Sequence, residues 1–131
     1  SILAKREAGS RGFGEAMFVD DHGFVVECTG ENVFMVSRGK ITAVEHPDAL
    51  PGITRASLIE MTGAESRPVT LEELLDADEV FLTGTSAEVT AVSALDKRDF
   101  APGPVTAALR EQYMQIVRGE APQYRHWLTE V

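Results

Sequence analysis

Three short stretches put glycine or hydroxyl residues where an apolar element ends. They are Glu27-Cys28-Thr29-Gly30-Glu31-Asn32, Leu50-Pro51-Gly52-Ile53-Thr54-Arg55 and Thr83-Gly84-Thr85-Ser86-Ala87-Glu88. Such places let backbone approach a ligand closely and leave N–H groups free to point at an anion. In the first, Glu27 ends a run of apolar residues. A carboxylate there is either a strand-end charge in solvent or a buried group with a cationic partner. Glu31, on a turn, is expected to be a solvated charge. The second stretch leads into a helix, whose first N–H groups are unsatisfied and carry partial positive charge, so it suits a phosphate. An ordinary helix start with Thr54 as its cap is the alternative. The third offers hydroxyls on a pliable backbone, suited to a phosphate or carboxylate, or else a bend whose hydroxyls satisfy local backbone.

The elements that must position these stretches follow from periodicity and turn chemistry. Segment 1–14 reads as the end of a helix stopped by Gly9, Gly12 and Gly14. Ala16–Val19, Phe24–Glu27, Asn32–Val36 and Lys40–Val44 read as strands of a four-stranded meander, with turns at 20–23 and 37–40. A loop with Pro47 and Pro51 leads into a helix over Ile53–Met61 that Gly63 ends. Arg67–Val69 is a short strand, and Thr70 with Glu73 has capping-box spacing for a brief helix through Leu75. Glu79–Thr83 and Val89–Val92 are strand-like. Val105–Arg118 is a helix with Gly119 as C-cap, and Tyr124, Trp127 and Leu128 are expected to dock on the core. The interleaving gives an α/β or α+β domain.

Composition narrows the partners. A net charge of −9 disfavours nucleic acid and anionic membrane, where basic patches supply the attraction. No apolar run approaches the roughly 18 residues of a membrane span. The single cysteine, Cys28, precludes an internal disulfide and points to a reducing compartment such as the cytoplasm. It reads as an inert small hydrophobe. His22, His46 and His126 lack metal-ligand spacing and read as surface residues.

Taken together, the motifs GFVVECTGENVF at 23–34, LPGITR at 50–55, ADEVFLTGTSAEVTAV at 77–92, PGPVT at 102–106 and RHWLTEV at 125–131 resemble the fold-type IV pyridoxal-phosphate (PLP) enzymes, most closely the branched-chain amino-acid aminotransferases. The resemblance implies a D-amino-acid-aminotransferase-like fold. Residues 1–131 would then be its C-terminal PLP-binding domain, a pseudo-barrel with the cofactor at its mouth. It implies roles too. Glu27 would hydrogen-bond the pyridine nitrogen and keep the ring protonated, so that the ring takes up electrons from the substrate Cα. Ile53 and Thr54 would hold the phosphate through their N–H groups, with the Thr85 hydroxyl added, and Leu50 would pack on the ring. Thr85, Ser86 and Ala87 would receive the substrate carboxylate, with Gly30 leaving room beside it.

The activity so implied is transamination of leucine, isoleucine or valine with 2-oxoglutarate, by a homodimer or larger homo-oligomer. Another fold-type IV enzyme, such as a D-amino-acid aminotransferase or aminodeoxychorismate lyase, and a non-catalytic PLP-binding fragment are the alternatives. The Schiff-base lysine of the family is expected upstream of Ser1: Lys5 matches a non-catalytic helix position, and Lys40 and Lys97 fall on a turn and a loop. The helix after LPGITR and the loops at 45–50 and 62–66 look shorter than the family pattern, and Cys28 stands where glycine is more usual.

Overall fold

The computed structural model describes residues 2–6, 14–84, 89–96, 98–100 and 103–117. Among the described residues, nine strands and three helices follow in the order β1 (Ile2–Arg6), β2 (Gly14–Val19), β3 (Val25–Cys28), β4 (Asn32–Ser37), β5 (Lys40–Val44), α1 (Ile53–Thr62), β6 (Glu65–Arg67), α2 (Leu71–Leu75), β7 (Glu79–Thr83), β8 (Val89–Leu95), β9 (Arg98–Asp99) and α3 (Pro104–Val117). Within the expected helical end at 1–14, residues 2–6 are instead strand β1, paired antiparallel with both β2 and β8. Its helix-forming residues are overridden because the ladder offers two partners at once, and propensity is a weak prior against tertiary context. Lys5 therefore sits on a strand. Gly119, Tyr124, Trp127 and Leu128 lie outside the described residues, as does Lys97.

The sheet order is β3-β2-β1-β8-β7-β4-β5-β6, with β9 against β8. The strands β2 to β5 are thus two hairpins and no continuous meander: β4 pairs with β5 and β7, whereas β3 pairs with β2. β8 joins the halves, its first residues (Val89–Ala91) pairing with β7 and its later ones (Val92–Leu95) with β1. The two ends of the path come together as well. Val25 N–H donates to Val69 O at 2.9 Å and Leu71 N–H to Gly23 O at 2.9 Å, so the segment after β6 seals the free side of β3. The sheet closes on itself in this way, as a pseudo-barrel should, and few strand edges are left open.

Both faces of the central strands are buried. Along β4, Val33 and Met35 join a core with Val80, Leu82, Val92 and Leu95, whereas Phe34 and Val36 join Phe81, Leu58, Leu109 and Tyr113. The first set fills the inside of the curled sheet. The second is the outer face, covered by α1 through Leu58 and by α3 through Leu109 and Tyr113. That double burial explains why β4 and β7 read as continuous apolar runs. Phe34 and Phe81 stack with centroids 4.9 Å apart and rings within 10°. Cys28 is buried in the inner core, as a small hydrophobe. No described helix is long and apolar enough to cross a membrane.

Two helices carry their own anions at the N-terminus. The Thr70 side chain accepts from Glu73 N–H, and the Glu73 side chain returns to the Thr70 N–H, completing the expected capping box of α2. α3 takes a carboxylate from a neighbouring strand: Glu79, 7% exposed, accepts from Val105 N–H at 3.2 Å and Thr106 N–H at 2.8 Å. A buried charge is tolerable there because the helix end supplies N–H groups and partial positive charge. Gly103 makes room, since a Cβ at that position would fall on the Glu79 carboxylate. Replacing Glu79 with alanine should therefore cost about 1–2 kcal/mol. Gly103→Ala should give a loss in the same direction by displacing the carboxylate. Thermal unfolding of both variants checks this, and a Gly103→Ala melting temperature equal to wild type would contradict the packing.

Candidate functional site

The chain turns tightly between β3 and β4. Cys28 N–H donates to Glu31 O at 2.9 Å and Glu31 N–H to Cys28 O at 2.6 Å, closing a two-residue turn on Thr29 and Gly30. Both turn residues have positive φ, 22° and 75°, which Gly30 adopts without strain. Glu27 precedes the turn and is half-buried. Its Oε2 accepts from Gly30 N–H at 3.1 Å and its Oε1 from Leu50 N–H at 2.9 Å. Within the chain, backbone N–H groups hold both of its oxygens. A carboxylate has lone pairs for about four acceptances, so capacity remains for further donors.

The loop 45–52 is fixed at three points. Besides the Glu27 contact, Asn32 Nδ2 donates to Leu50 O at 2.8 Å. Leu50 is thus gripped through its N–H by one end of the β3–β4 turn and through its carbonyl by the other. Further back, His46 Nδ1 accepts from Asp48 N–H at 3.0 Å, which assigns the proton to Nε2, donated to Asp20 Oδ2 at 2.8 Å. His46 is therefore a buried anchor for the loop and not the expected surface residue. Asp20 also accepts from the N–H groups of His22 and Phe24, at 2.8 and 2.9 Å.

α1 begins where the loop ends. Its N-cap is Gly52, with no side-chain cap, and no acidic residue lies in the first turn. Thr54 is not that cap; its hydroxyl donates instead to Gly84 O at 3.2 Å, which fastens the end of β7 to the first turn of α1. A Cβ at Gly52 would come within 2.3 Å of Asn32 Oδ1, so only glycine fits between the helix start and the Asn32 amide.

These parts surround a cleft of about 380 Å³ lined by Gly30, Asn32, Leu50, Pro51, Gly52, Ile53, Thr54, Thr83 and Gly84. Leu50 and Ile53 are 61% and 63% exposed, unusual for large apolar residues, and both stand on its wall. Of the anticipated residues, Gly30, Leu50, Ile53 and Thr54 meet here, with Glu27 bonded to two of the lining residues. Thr85, Ser86 and Ala87 lie outside the described residues. Glu31 departs from expectation: it is buried, and a Cβ at Gly84 would stand 3.2 Å from its Oε2. Asn32, Pro51, Gly52, Thr83 and Gly84 line the cleft too. All five sit inside the quoted stretches, but the signal for an individual role is a contact between positions far apart in sequence. The site can hold a flat, partly apolar molecule with an anionic end at the start of α1 and a proton-bearing group toward Glu27.

Comparison with known proteins places this fold in a class. Residues 1–95 match the family model of class IV amino-transferases, and the chain belongs to that family. Over 141 aligned residues it is 43% identical to a probable branched-chain-amino-acid aminotransferase of Aquifex aeolicus, covering 100% of this chain and 45% of that protein. A branched-chain-amino-acid aminotransferase of Pseudomonas aeruginosa is 37% identical over 139 residues, again with 100% and 45% covered. Among solved structures, the T.th. branched-chain amino acid aminotransferase complexed with N-(5'-phosphopyridoxyl)-L-glutamate superposes with a TM-score of 0.82 at 41% identity, covering 92% of this chain and 42% of that one. The enzyme of Thermoproteus uzoniensis with norvaline gives 0.81 at 38% identity, with 91% and 42% covered. The chain thus spans less than half the length of the relatives it matches.

The loop anchor carries a pH signature. The hydrogen bond from His46, followed by the N–H groups of Phe24 and His22, holds the Asp20 carboxyl at about 2 against an ordinary 3.8. A carboxyl with a depressed folded pKa stabilises the fold above its unfolded value and loses that contribution as pH falls. The window here runs from 3.8 down to about 2. A carboxyl-resolved NMR titration should find Asp20 titrating near 2 and moving up toward 3.8 in His46→Ala. An unmoved midpoint would mean that His46 is not the main cause.

Proposed function

We propose that residues 1–131 form the C-terminal, PLP-binding domain of a branched-chain amino-acid aminotransferase. In this reading the whole protein moves the amino group of leucine, isoleucine or valine to 2-oxoglutarate. The observation that carries it is the cleft itself, where an uncapped helix start, an exposed Leu50 and a turn fixed by Glu27 converge. Relatives named as branched-chain aminotransferases and a neighbour bound to a phosphopyridoxyl compound support it.

The residues present fit PLP. The first N–H groups of α1, at Ile53 and Thr54, have no side-chain cap and would bind its phosphate. Leu50, held at both ends of its backbone, would pack on the ring and exclude water from that face. Glu27, its carboxylate already oriented by Gly30 and Leu50, would hold a proton on the ring nitrogen. The cofactor so held supplies an electron sink for the bond broken at the substrate Cα. Gly30 leaves the substrate side of the turn free of a side chain. Thr85, Ser86 and Ala87 are proposed to take the phosphate and the substrate carboxylate. The reactive lysine is proposed to lie outside residues 1–131. Association into a homodimer or larger homo-oligomer in a reducing, cytoplasmic setting belongs to the same reading.

The test uses the full-length protein. Borohydride reduction after incubation with PLP, followed by peptide mapping, should find the cofactor on a single lysine peptide. Turnover should be seen with leucine, isoleucine and valine but not with D-alanine; the reverse preference would move the protein to a D-amino-acid enzyme. Glu27→Gln should lower turnover on the order of 100-fold, as expected for loss of a positioned proton partner. Unchanged turnover in that variant would remove Glu27 from the site.

A further inference from the structure

We infer that the Thr83 hydroxyl is an additional ligand for the cofactor phosphate at the start of α1, an assignment that rests on the PLP reading above. Thr83 is 2% exposed and lines the cleft together with Gly52, Ile53, Thr54 and Gly84. Its Oγ1 is buried and has no hydrogen-bond partner among the described residues. Buried hydroxyls are nearly always bonded, because an unsatisfied one forfeits its hydration without return. A hydroxyl left unsatisfied on the wall of a binding cleft is explained by a partner that arrives with the ligand.

The sheet register fixes where this hydroxyl stands. Three cross-strand pairs run along the outer face: Val36 opposite Glu79, Phe34 opposite Phe81, and Asn32 opposite Thr83. Directly opposed residues project from the same face of a sheet, so Thr83 shares its side with Asn32 and with the stacked phenylalanines. At one end of this row, the Glu79 carboxylate fills the N-terminus of α3. At the other, the row ends beneath the N-terminus of α1 in two neutral side chains, Asn32 and Thr83. The Thr54 hydroxyl is already committed to Gly84 O, whereas Thr83, on the same cleft as the first turn of α1, has an uncommitted hydroxyl. The Glu31 carboxylate lies against the Cβ side of Gly84, which alternation along the strand turns to the opposite face. An incoming phosphate would give both the α1 N–H groups and the Thr83 hydroxyl their missing acceptor.

The test compares Thr83→Val, which keeps the branched shape and removes the hydroxyl, with Thr83→Ser, which keeps the hydroxyl. Dissociation constants of the full-length protein would be measured by absorbance titration for PLP and for pyridoxal, which lacks the phosphate. Thr83→Val should weaken PLP about tenfold or more, the loss expected for a hydrogen bond to a charged group. It should leave pyridoxal unchanged, and Thr83→Ser should stay close to wild type for both. Inorganic phosphate should compete with PLP less well in Thr83→Val than in wild type. Unchanged PLP affinity in Thr83→Val, or an equal loss for PLP and pyridoxal, would overturn the assignment. Should the valine variant fail to fold, Thr83→Ala gives the same comparison. Wild-type protein that binds PLP no better than pyridoxal would overturn the cofactor reading itself, and the Thr83 assignment with it.

Discussion

The arrangement of the cleft depends on one carboxylate. Glu27 accepts a backbone N–H three residues on, at Gly30, and another 23 residues on, at Leu50. The first bond belongs to a local turn. The second reaches a proline-flanked loop that has no ladder to hold it. A charged acceptor makes a stronger hydrogen bond than a neutral one, so a single residue can anchor a segment that would otherwise move. Asn32, on the far side of the same turn, takes the carbonyl of the same leucine. The β3–β4 turn therefore works as a clamp, and the loop that forms one wall of the cleft is aligned to it.

The outer face of the sheet shows how one strand pair serves two helices differently. β4 and β7 present Glu79, opposite Val36, near one end, the polar pair Asn32 and Thr83 at the other, and an aromatic stack between. The glutamate end satisfies the start of α3 within the chain, leaving no room even for a Cβ at Gly103. The opposite end leaves the start of α1 open, with glycine as its N-cap. Both helix starts carry the same partial positive charge, and the difference between them is whether the chain supplies the anion.

Closure of the sheet makes this geometry rigid. β8 pairs with β7 at its start and β1 at its end, and the segment after β6 bonds to β3. The β3–β4 turn is thereby held from both sides of the barrel, and α1 is tied back to β7 through the Thr54 hydroxyl. Loop anchors such as the Asp20–His46 pair then need only hold a few residues in place.

Much of this was legible in the sequence. Local chemistry determined β4, β5, β7 and the helices α1 to α3, because apolar runs, capping residues and glycine stops act within a few residues of themselves. The three glycine- and hydroxyl-rich stretches were visible for the same reason, and Gly30, Leu50, Ile53 and Thr54 do meet at one cleft. Other features were decided only by tertiary structure. Segment 2–6 became a strand since two neighbours pair with it. Glu31 went inside and His46 became an anchor through partners distant in sequence. Asn32, Glu79 and Thr83 gained their places from cross-strand register. A polar residue's role is set by which donor or acceptor the fold brings within about 3 Å, and a linear sequence carries that distance only for near neighbours.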